Sequence, residues 1–307
     1  MSTQASVGLI GTGWVGSSVA ISILQAGIVH ELLLADARPG LAEGEAMDLT
    51  HGSSFYPSAV VRSAGVEDML GTDAIIIAAG QNSTPGQSRL DLLKNNAALV
   101  SGLAGRLRAY AGLVIMVTNP VDVLTAFFVA KSGLPPERVL GTGTMLDTAR
   151  LRQVLGQELR VHPRSVHAQI VGEHGDSEVA LWSGGEIGGV PLRRWPGWTP
   201  ANESRIAETV RRAAYEIIQR KGATNHAIGL VTAALLRALL RDEKVVLTVS
   251  TLQSGILGVA GIALSLPAIV GREGIIRVLE PAMDAAEKAA LEHSAAVLQQ
   301  SLAKLTG

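Results

Sequence analysis

The sequence predicts a doubly wound α/β fold in its first 140 residues, followed by an α+β domain. In the first part, short apolar runs alternate with segments long enough for crossover helices. Such runs are typical of parallel strands buried on both faces, and their alternation with helices indicates βαβ units. Longer helical patterns dominate the second part, where the alternation ends. The sequence therefore predicts two domains, at residues 4–141 and 142–307.

The individual elements follow from the same patterns. In the first domain they predict strands at residues 6–10, 32–35, 74–78 and 113–117, with helices at 15–26, 91–109 and 121–132. In the second they predict helices at 146–157, 201–219, 223–241 and 281–305, and strands at 245–249 and 256–266. Residues 184–200 contain five glycines, three prolines and two tryptophans, which predicts an irregular surface connection.

Composition excludes several classes of function. The 307 residues are 47% hydrophobic, which is ample for a buried core, and they contain no cysteine, which excludes disulfides and thiolate chemistry. A net charge of -1 without a basic stripe argues against nucleic-acid binding. The apolar stretches 112–130 and 255–270 are interrupted by Asn119, glycines and Pro267, so neither is expected to span a membrane. The N-terminus lacks a signal-peptide pattern, and a cytoplasmic location is expected.

A glycine-rich loop lies between the first predicted strand and helix. It reads Gly11-x-Gly13-x-x-Gly16, with Val15 inside it, and Asp36 follows twenty positions after the last glycine. In a strand, loop, helix and strand unit, such glycines admit a pyrophosphate at the helix N-terminus, and the acid bonds a ribose hydroxyl. A 2′-phosphate would be repelled by Asp36, so this Rossmann-type unit predicts NAD rather than NADP. Glycines that only make a turn are the alternative.

Polar clusters interrupt the apolar surroundings farther along the chain. They are Arg89 in PGQSRLD, Asn119 in VTNPVD, Asp147 and Arg150 in GTMLDTAR, His174 in VGEHGDSE, and Thr224 in KGATNH. Taken singly, each has a plain alternative: a surface ion pair, a turn asparagine, a loop histidine or a metal ligand. The histidines show no zinc-type spacing, so no metal site is expected. Together, these motifs make the chain resemble the lactate/malate dehydrogenase family, most closely its bacterial L-lactate branch, from Val7 to the final helix.

The resemblance implies a catalytic role for three of these residues. His174 would be the acid/base group that protonates the carbonyl oxygen of a 2-oxo acid as hydride arrives from the cofactor. Asp147 would orient the imidazole and favour its charged form. Arg89 would polarise the carbonyl from a lid formed by residues 80–90, which closes over the substrate.

The remaining family positions bind substrate or cofactor. Arg150 would hold the substrate carboxylate with two parallel hydrogen bonds, and Asn119 would donate to the substrate oxygen. Thr224 would line the substrate pocket, while Ile228 would give the nicotinamide an apolar wall. Gly80 and Asn119 complete the expected cofactor site.

The lid position six residues before Arg89 selects the substrate in this family. It is Ser83 here, whereas the lactate branch typically has glutamine and the malate branch arginine. Residues 81–88 contain no cation, so a second substrate carboxylate would be left unpaired in a closing site. The sequence therefore favours pyruvate and L-lactate, with room for larger 2-oxo acids. Malate dehydrogenase is the nearest alternative, and a catalytically silent NAD-binding protein is the alternative from another class.

A regulatory site is also implied by the resemblance. Arg152 and His167 match positions that bind fructose bisphosphate in allosteric bacterial members of the family. Two such residues at a two-fold subunit interface would bind a phosphate and favour the active form of a tetramer. A homotetramer or homodimer is therefore expected, and two surface residues with incidental contacts are the alternative.

Overall fold

The computed structural model describes residues 5–81 and 89–306, with the side chains of Arg89 and Thr306 excepted. Its strands are Ser6–Ile10 (β1), Glu31–Ala35 (β2), Val60–Ser63 (β3), Ala74–Ile77 (β4), Leu113–Met116 (β5), Val139–Gly141 (β6), Val166–Val171 (β7), Val179–Ile187 (β8), Val190–Pro191 (β9), Val245–Ser254 (β10), Ala260–Gly271 (β11) and Gly274–Val278 (β12). Its α-helices are Trp14–Ala26 (α1), Pro39–His51 (α2), Arg89–Arg106 (α3), Val121–Ser132 (α4), Met145–Leu159 (α5), Pro200–Lys221 (α6), His226–Leu240 (α7) and Ala285–Thr306 (α8).

The first six strands form a parallel sheet in the order β3-β2-β1-β4-β5-β6. The strand order reverses between β1 and β4. Ligands of such sheets bind at this point, beyond the carboxyl ends of the strands. The predicted doubly wound sheet is confirmed. β1, β2, β4 and β5 are almost wholly buried because helices cover both faces of the sheet.

The second half of the chain extends this sheet. β10 pairs antiparallel with β6 at Ser250 and Gly141, and β11 and β12 continue the sheet outward, so it has nine strands. This pairing satisfies backbone groups that β6 would otherwise leave at an edge. A separate antiparallel sheet of β7, β8 and β9 packs against α5 and shares an apolar cluster with α6. The α+β character expected of the second half is confirmed, although its strands are shared between two sheets.

Two local predictions for the second half are wrong in part. Residues 184–187 are the end of β8, a nine-residue strand, and β9 follows a turn at Gly188 and Gly189. Gly185 interrupts the strand pattern because Leu192 packs where its side chain would be, 2.5 Å from a Cβ placed there. The strand predicted at 256–266 begins only at Ala260, after a short 3-10 turn.

Apolar side chains pack on both faces of the large sheet, with a third cluster beneath α5 and α6. Within residues 5–81 and 89–306, no helix combines the length and the apolar character that a membrane crossing requires.

Candidate active site

The glycine loop opens a cradle at the start of α1. Gly11 has φ +98°, and a Cβ at Gly16 would lie 1.9 Å from the Gly11 carbonyl oxygen, so both positions require glycine. A Cβ at Gly13 would meet nothing within 4 Å, because the backbone there faces open space. The free amides at the N-terminus of α1 lie at this opening, and they favour an anion. The loop therefore fits a pyrophosphate.

Asp36 lies directly after β2, beside this cradle. Its carboxylate accepts hydrogen bonds from the backbone N–H groups of Thr12 (2.9 Å) and Arg38 (3.0 Å). Burial opposes the charge, but these hydrogen bonds outweigh it and hold the pKa of Asp36 below its ordinary value. An adjoining cavity of about 320 Å³ has a largely apolar lining that includes Ile10 and Leu99. A flat base and a ribose fit this combination, as the adenosine half of NAD requires.

Asn96, which the sequence did not single out, connects the ends of β4 and β5. It is buried on α3, where its Oδ1 accepts the N–H of Gln81 (2.8 Å) and its Nδ2 donates to the carbonyl of Asn119 (2.9 Å). A Cβ at Gly80 would lie 3.5 Å from the Asn96 amide. Gly80 and Asn119 are thus brought together at the carboxyl edge of the sheet. The bond between Asn119 and Pro120 is cis.

His174, Asp147 and Arg150 meet in one hydrogen-bonded group. Asp147 and Arg150 lie one turn apart on α5, and His174 lies in the loop after β7. The Nδ1 of His174 is 2.5 Å from Oδ2 of Asp147, while Nη1 of Arg150 donates to Oδ1 of the same carboxylate at 2.8 Å. Thr148 joins the two elements, because its Oγ1 accepts the N–H of Ile170 on β7 (2.9 Å).

This arrangement favours a charged imidazole. Burial is the largest single influence on His174 and opposes the charge, but the charge and hydrogen bond of Asp147 outweigh it, with help from Asp122. The pKa of His174 is raised to about 9. Burial likewise opposes the charge of Asp147, and the charges of His174 and Arg150 hold its pKa below the ordinary value. At neutral pH the pair is therefore an imidazolium and a carboxylate, and the ring can act as a proton donor.

Three further residues of this site were missed by the sequence reasoning. Asp122 on α4 accepts the backbone N–H of His174 (2.7 Å), and Ser294 on α8 accepts that of Glu173 (2.8 Å). Glu178 is buried beside the group, and burial, then the charge of Asp147, raise its pKa to about 8. Asp122 within an apolar helix was a visible signal; Ser294 gave none, since it reads as an ordinary helix residue.

The other predicted residues are placed less directly. Thr224 is half-buried in the loop between α6 and α7, and Ile228 lies in the first turn of α7. Because α7 packs on α1, Ile228 and Val15 border the same apolar cluster. The structure describes Arg89 only as the first residue of α3, and Ser83 lies outside the described residues.

Arg152 and His167 lie apart from this group, in a cavity of about 380 Å³. The Nε of Arg152 donates to the carbonyl of Ala168 (3.0 Å), and burial lowers the pKa of its guanidinium. Glu186, which lies opposite His167 in the register of β7 and β8, also lines the cavity.

Comparison with known proteins identifies the family. Residues 5–141 match the lactate/malate dehydrogenase NAD binding domain, and residues 144–306 match the alpha/beta C-terminal domain of the same family. The chain is 44% identical to the L-lactate dehydrogenase of Moorella thermoacetica, over 98% of each chain. It is also 44% identical to that of Thermus aquaticus, over 97% of this chain and 99% of the relative.

A crystal structure of the minor L-lactate dehydrogenase of Enterococcus mundtii superimposes with a TM-score of 0.96, at 38% identity and 99% coverage of both chains. The predicted NAD cofactor and the predicted resemblance are confirmed by these matches. The chain therefore belongs to the lactate/malate dehydrogenase family.

Proposed function

We propose that this chain is an NAD-dependent L-lactate dehydrogenase that interconverts pyruvate and L-lactate. One observation supports the proposal most directly. The imidazole of His174, whose charged form is stabilised by Asp147, lies beside Arg150 and next to the turn that bears Asn119. The L-lactate dehydrogenases from Moorella thermoacetica and Thermus aquaticus support the choice of substrate. The division at residues 4–141 and 142–307 is part of the proposal, as is a cytoplasmic location.

His174 is the proton donor in pyruvate reduction. Because Nδ1 is engaged by Asp147, Nε2 is the nitrogen that meets the C2 oxygen of the substrate. Gly11, Gly13, Gly16 and Asp36 would hold NADH, which would supply the hydride to C2. His174 then gives its Nε2 proton to the oxygen, and in lactate oxidation the neutral ring takes that proton back. Asp147 stabilises the charge on the ring in both directions.

The other residues position the substrate. Arg150, with a side chain only 14% exposed, presents its guanidinium to the substrate carboxylate. Asn119 donates to the C2 oxygen, Arg89 polarises the carbonyl from the lid, and Thr224 lines the pocket. Val15 and Gly80 contribute to the cofactor site, and Ile228 gives the nicotinamide an apolar wall.

Comparing three 2-oxo acids tests the proposed substrate. With NADH in excess, kcat/KM is expected to be higher for pyruvate than for oxaloacetate, because residues 81–88 contain no cation for a second carboxylate. Activity with 2-oxoisocaproate would follow from the small Ser83. The Ser83→Arg variant is expected to shift preference toward oxaloacetate. A wild-type preference for oxaloacetate identifies a malate dehydrogenase instead, and no turnover of any 2-oxo acid identifies a silent NAD-binding protein.

Replacement of Asp36 tests the choice of cofactor. Asp36→Ala is expected to raise KM for NADH about tenfold, because a charge-assisted hydrogen bond to the ribose is lost. KM for NADPH is expected to fall, since the 2′-phosphate no longer meets a carboxylate. Glu43→Ala on α2 removes an exposed carboxylate and is the control. An unchanged ratio between the two cofactors would contradict this role for Asp36.

A regulatory site at Arg152 and His167 and a homotetramer or homodimer are also part of the proposal. The two residues line one cavity, and a second subunit would bring another Arg152 to it and offset Glu186. Exposed Trp14 and Phe55 line a surface cavity of about 830 Å³, and exposed apolar side chains of this kind favour a subunit contact. Fructose bisphosphate is expected to lower KM for pyruvate and to increase the tetramer fraction in light scattering. Unchanged saturation and mass would refute the effector site.

A further inference from the structure

Arg38 lies beside the carboxylate that binds the ribose in the proposed function. It comes two positions after Asp36 and directly before α2, and its Nε is 3.5 Å from Oδ1 of Asp36. The backbone N–H of Arg38 donates to the same oxygen at 3.0 Å. A group attached to the ribose 2′-oxygen that Asp36 binds would therefore come within reach of the Arg38 guanidinium.

An exposed side chain lets Arg38 turn toward a ligand. The side chain of Arg38 is 74% exposed, whereas that of Asp36 is only 11% exposed. Asp36 is held on its other side, because its Oδ2 accepts the N–H of Thr12 at 2.9 Å. A guanidinium has five N–H donors, and a contact with one carboxylate oxygen leaves others for a second anion. A movement of Arg38 alone can thus bring a cation to the 2′ position.

Arg106 is a second arginine of this region, but its charge is already paired. It lines the adjoining cavity of about 320 Å³. Its Nε and Nη2 donate to the two carboxylate oxygens of Glu67, at 2.7 and 2.6 Å. Two such parallel hydrogen bonds hold a guanidinium in one geometry. Arg38 has a longer ion-pair contact, so it is better suited than Arg106 to bind an added phosphate.

Asp36 and Arg38 have opposite effects on a phosphate. Burial opposes the charge of Asp36, but its backbone hydrogen bonds and the charge of Arg38 hold its pKa below the ordinary value, so the carboxylate is ionised at neutral pH. The carboxylate repels a 2′-phosphate, and the guanidinium attracts it. Residues 39–42, the first turn of α2, include no acidic side chain that would add to the repulsion. Asp36 therefore favours NADH, and Arg38 limits how strong that preference is.

We propose that Arg38 binds the 2′-phosphate of NADPH and makes this dinucleotide a second, weaker reductant for the same 2-oxo acid. The proposal rests on the proposed function for the position of the ribose beside Asp36. The phosphate belongs to the adenosine half of the dinucleotide, so the chemistry at the substrate is unchanged. C2 receives the hydride of NADPH, the C2 oxygen receives the proton of His174, and the products are L-lactate and NADP⁺.

Two substitutions of Arg38 test the proposal by binding alone. Arg38→Gln removes the charge, and Arg38→Lys keeps the charge without the guanidinium. In fluorescence titrations, the Kd for NADPH is expected to rise about tenfold in Arg38→Gln and less in Arg38→Lys, because a charge-assisted hydrogen bond to the phosphate is lost. The Kd for NADH is expected to stay within about twofold of wild type in both, since an exposed ion pair contributes little. With pyruvate, kcat/KM for the two dinucleotides is expected to follow these Kd values.

Salt dependence provides a readout that lost stability would not reproduce. In Asp36→Ala the repulsion is absent, so the attraction by Arg38 acts alone on the phosphate. Salt weakens an attraction between exposed charges. The ratio of the Kd for NADPH to that for NADH is therefore expected to rise with salt in Asp36→Ala, and to change little in the double variant Asp36→Ala/Arg38→Gln.

Arg62→Gln is the matched control. Arg62 is a half-exposed arginine on β3, and its Nε donates to Glu31 at 3.0 Å, at the start of the same strand that Asp36 follows. Its substitution is expected to change neither Kd. Three results would overturn the proposal: wild-type protein that does not bind NADPH, an unchanged Kd for NADPH in Arg38→Gln, or equal losses for both dinucleotides in that variant. An unchanged Kd for NADH in Asp36→Ala would instead overturn the ribose position in the proposed function.

Discussion

His174→Ala is expected to lower kcat for pyruvate reduction about 100- to 10,000-fold, the usual contribution of a general acid. In this variant no proton donor with a suitable pKa remains hydrogen-bonded to the Asp147 carboxylate, so the substrate oxygen loses its source of a proton. The Kd for NADH, measured by fluorescence titration, is expected to change little, because Gly11, Gly13 and Asp36 are not altered. The loss should therefore lie in kcat and not in cofactor binding.

His51→Ala is the control for this experiment, since His51 is an exposed histidine in the last turn of α2. It is expected to retain wild-type kcat. If His174→Ala keeps more than about a tenth of the wild-type kcat, the proton must come from another group, and the role assigned to His174 is wrong.

Arg150→Lys is expected to lower kcat/KM for pyruvate about 100-fold, chiefly through a higher KM. Lysine keeps the charge but cannot form two parallel hydrogen bonds with a carboxylate. The loss of such contacts in a little-exposed site costs about 3 kcal/mol, and about 1.4 kcal/mol corresponds to each factor of ten. Steady-state kinetics at saturating NADH measure the effect.

The control for this substitution is Arg237→Lys on α7, an exposed arginine that is ion-paired with Glu243. Its kcat/KM is expected to equal that of the wild type. Arg150 also donates to Asp147, and an effect that acts through this hydrogen bond has a distinct signature. A loss confined to kcat, with KM unchanged, would mean that Arg150 serves the Asp147–His174 pair instead of the substrate carboxylate.

The nucleotide-binding unit could be predicted from the sequence. β1, the glycine loop, α1 and β2 are consecutive, so their periodicity and spacing are local properties. Gly16 is required by its contact with the Gly11 carbonyl oxygen within this unit, Gly11 is required by its positive φ, and Asp36 directly follows β2. The group of Asp147 and Arg150 was likewise visible, since three positions on one helix share a face.

The tertiary structure alone decided how distant segments meet. The extension of the sheet by β10, β11 and β12 depends on the open edge of β6, which no local pattern of residues 245–278 describes. The contact of Asp122 with His174 spans 52 positions, and that of Ser294 with Glu173 spans 121. Periodicity indicates which face of an element is buried, but not which polar side chain of another element contacts that face. For that reason the residues that hold His174 in place became apparent only in the folded chain.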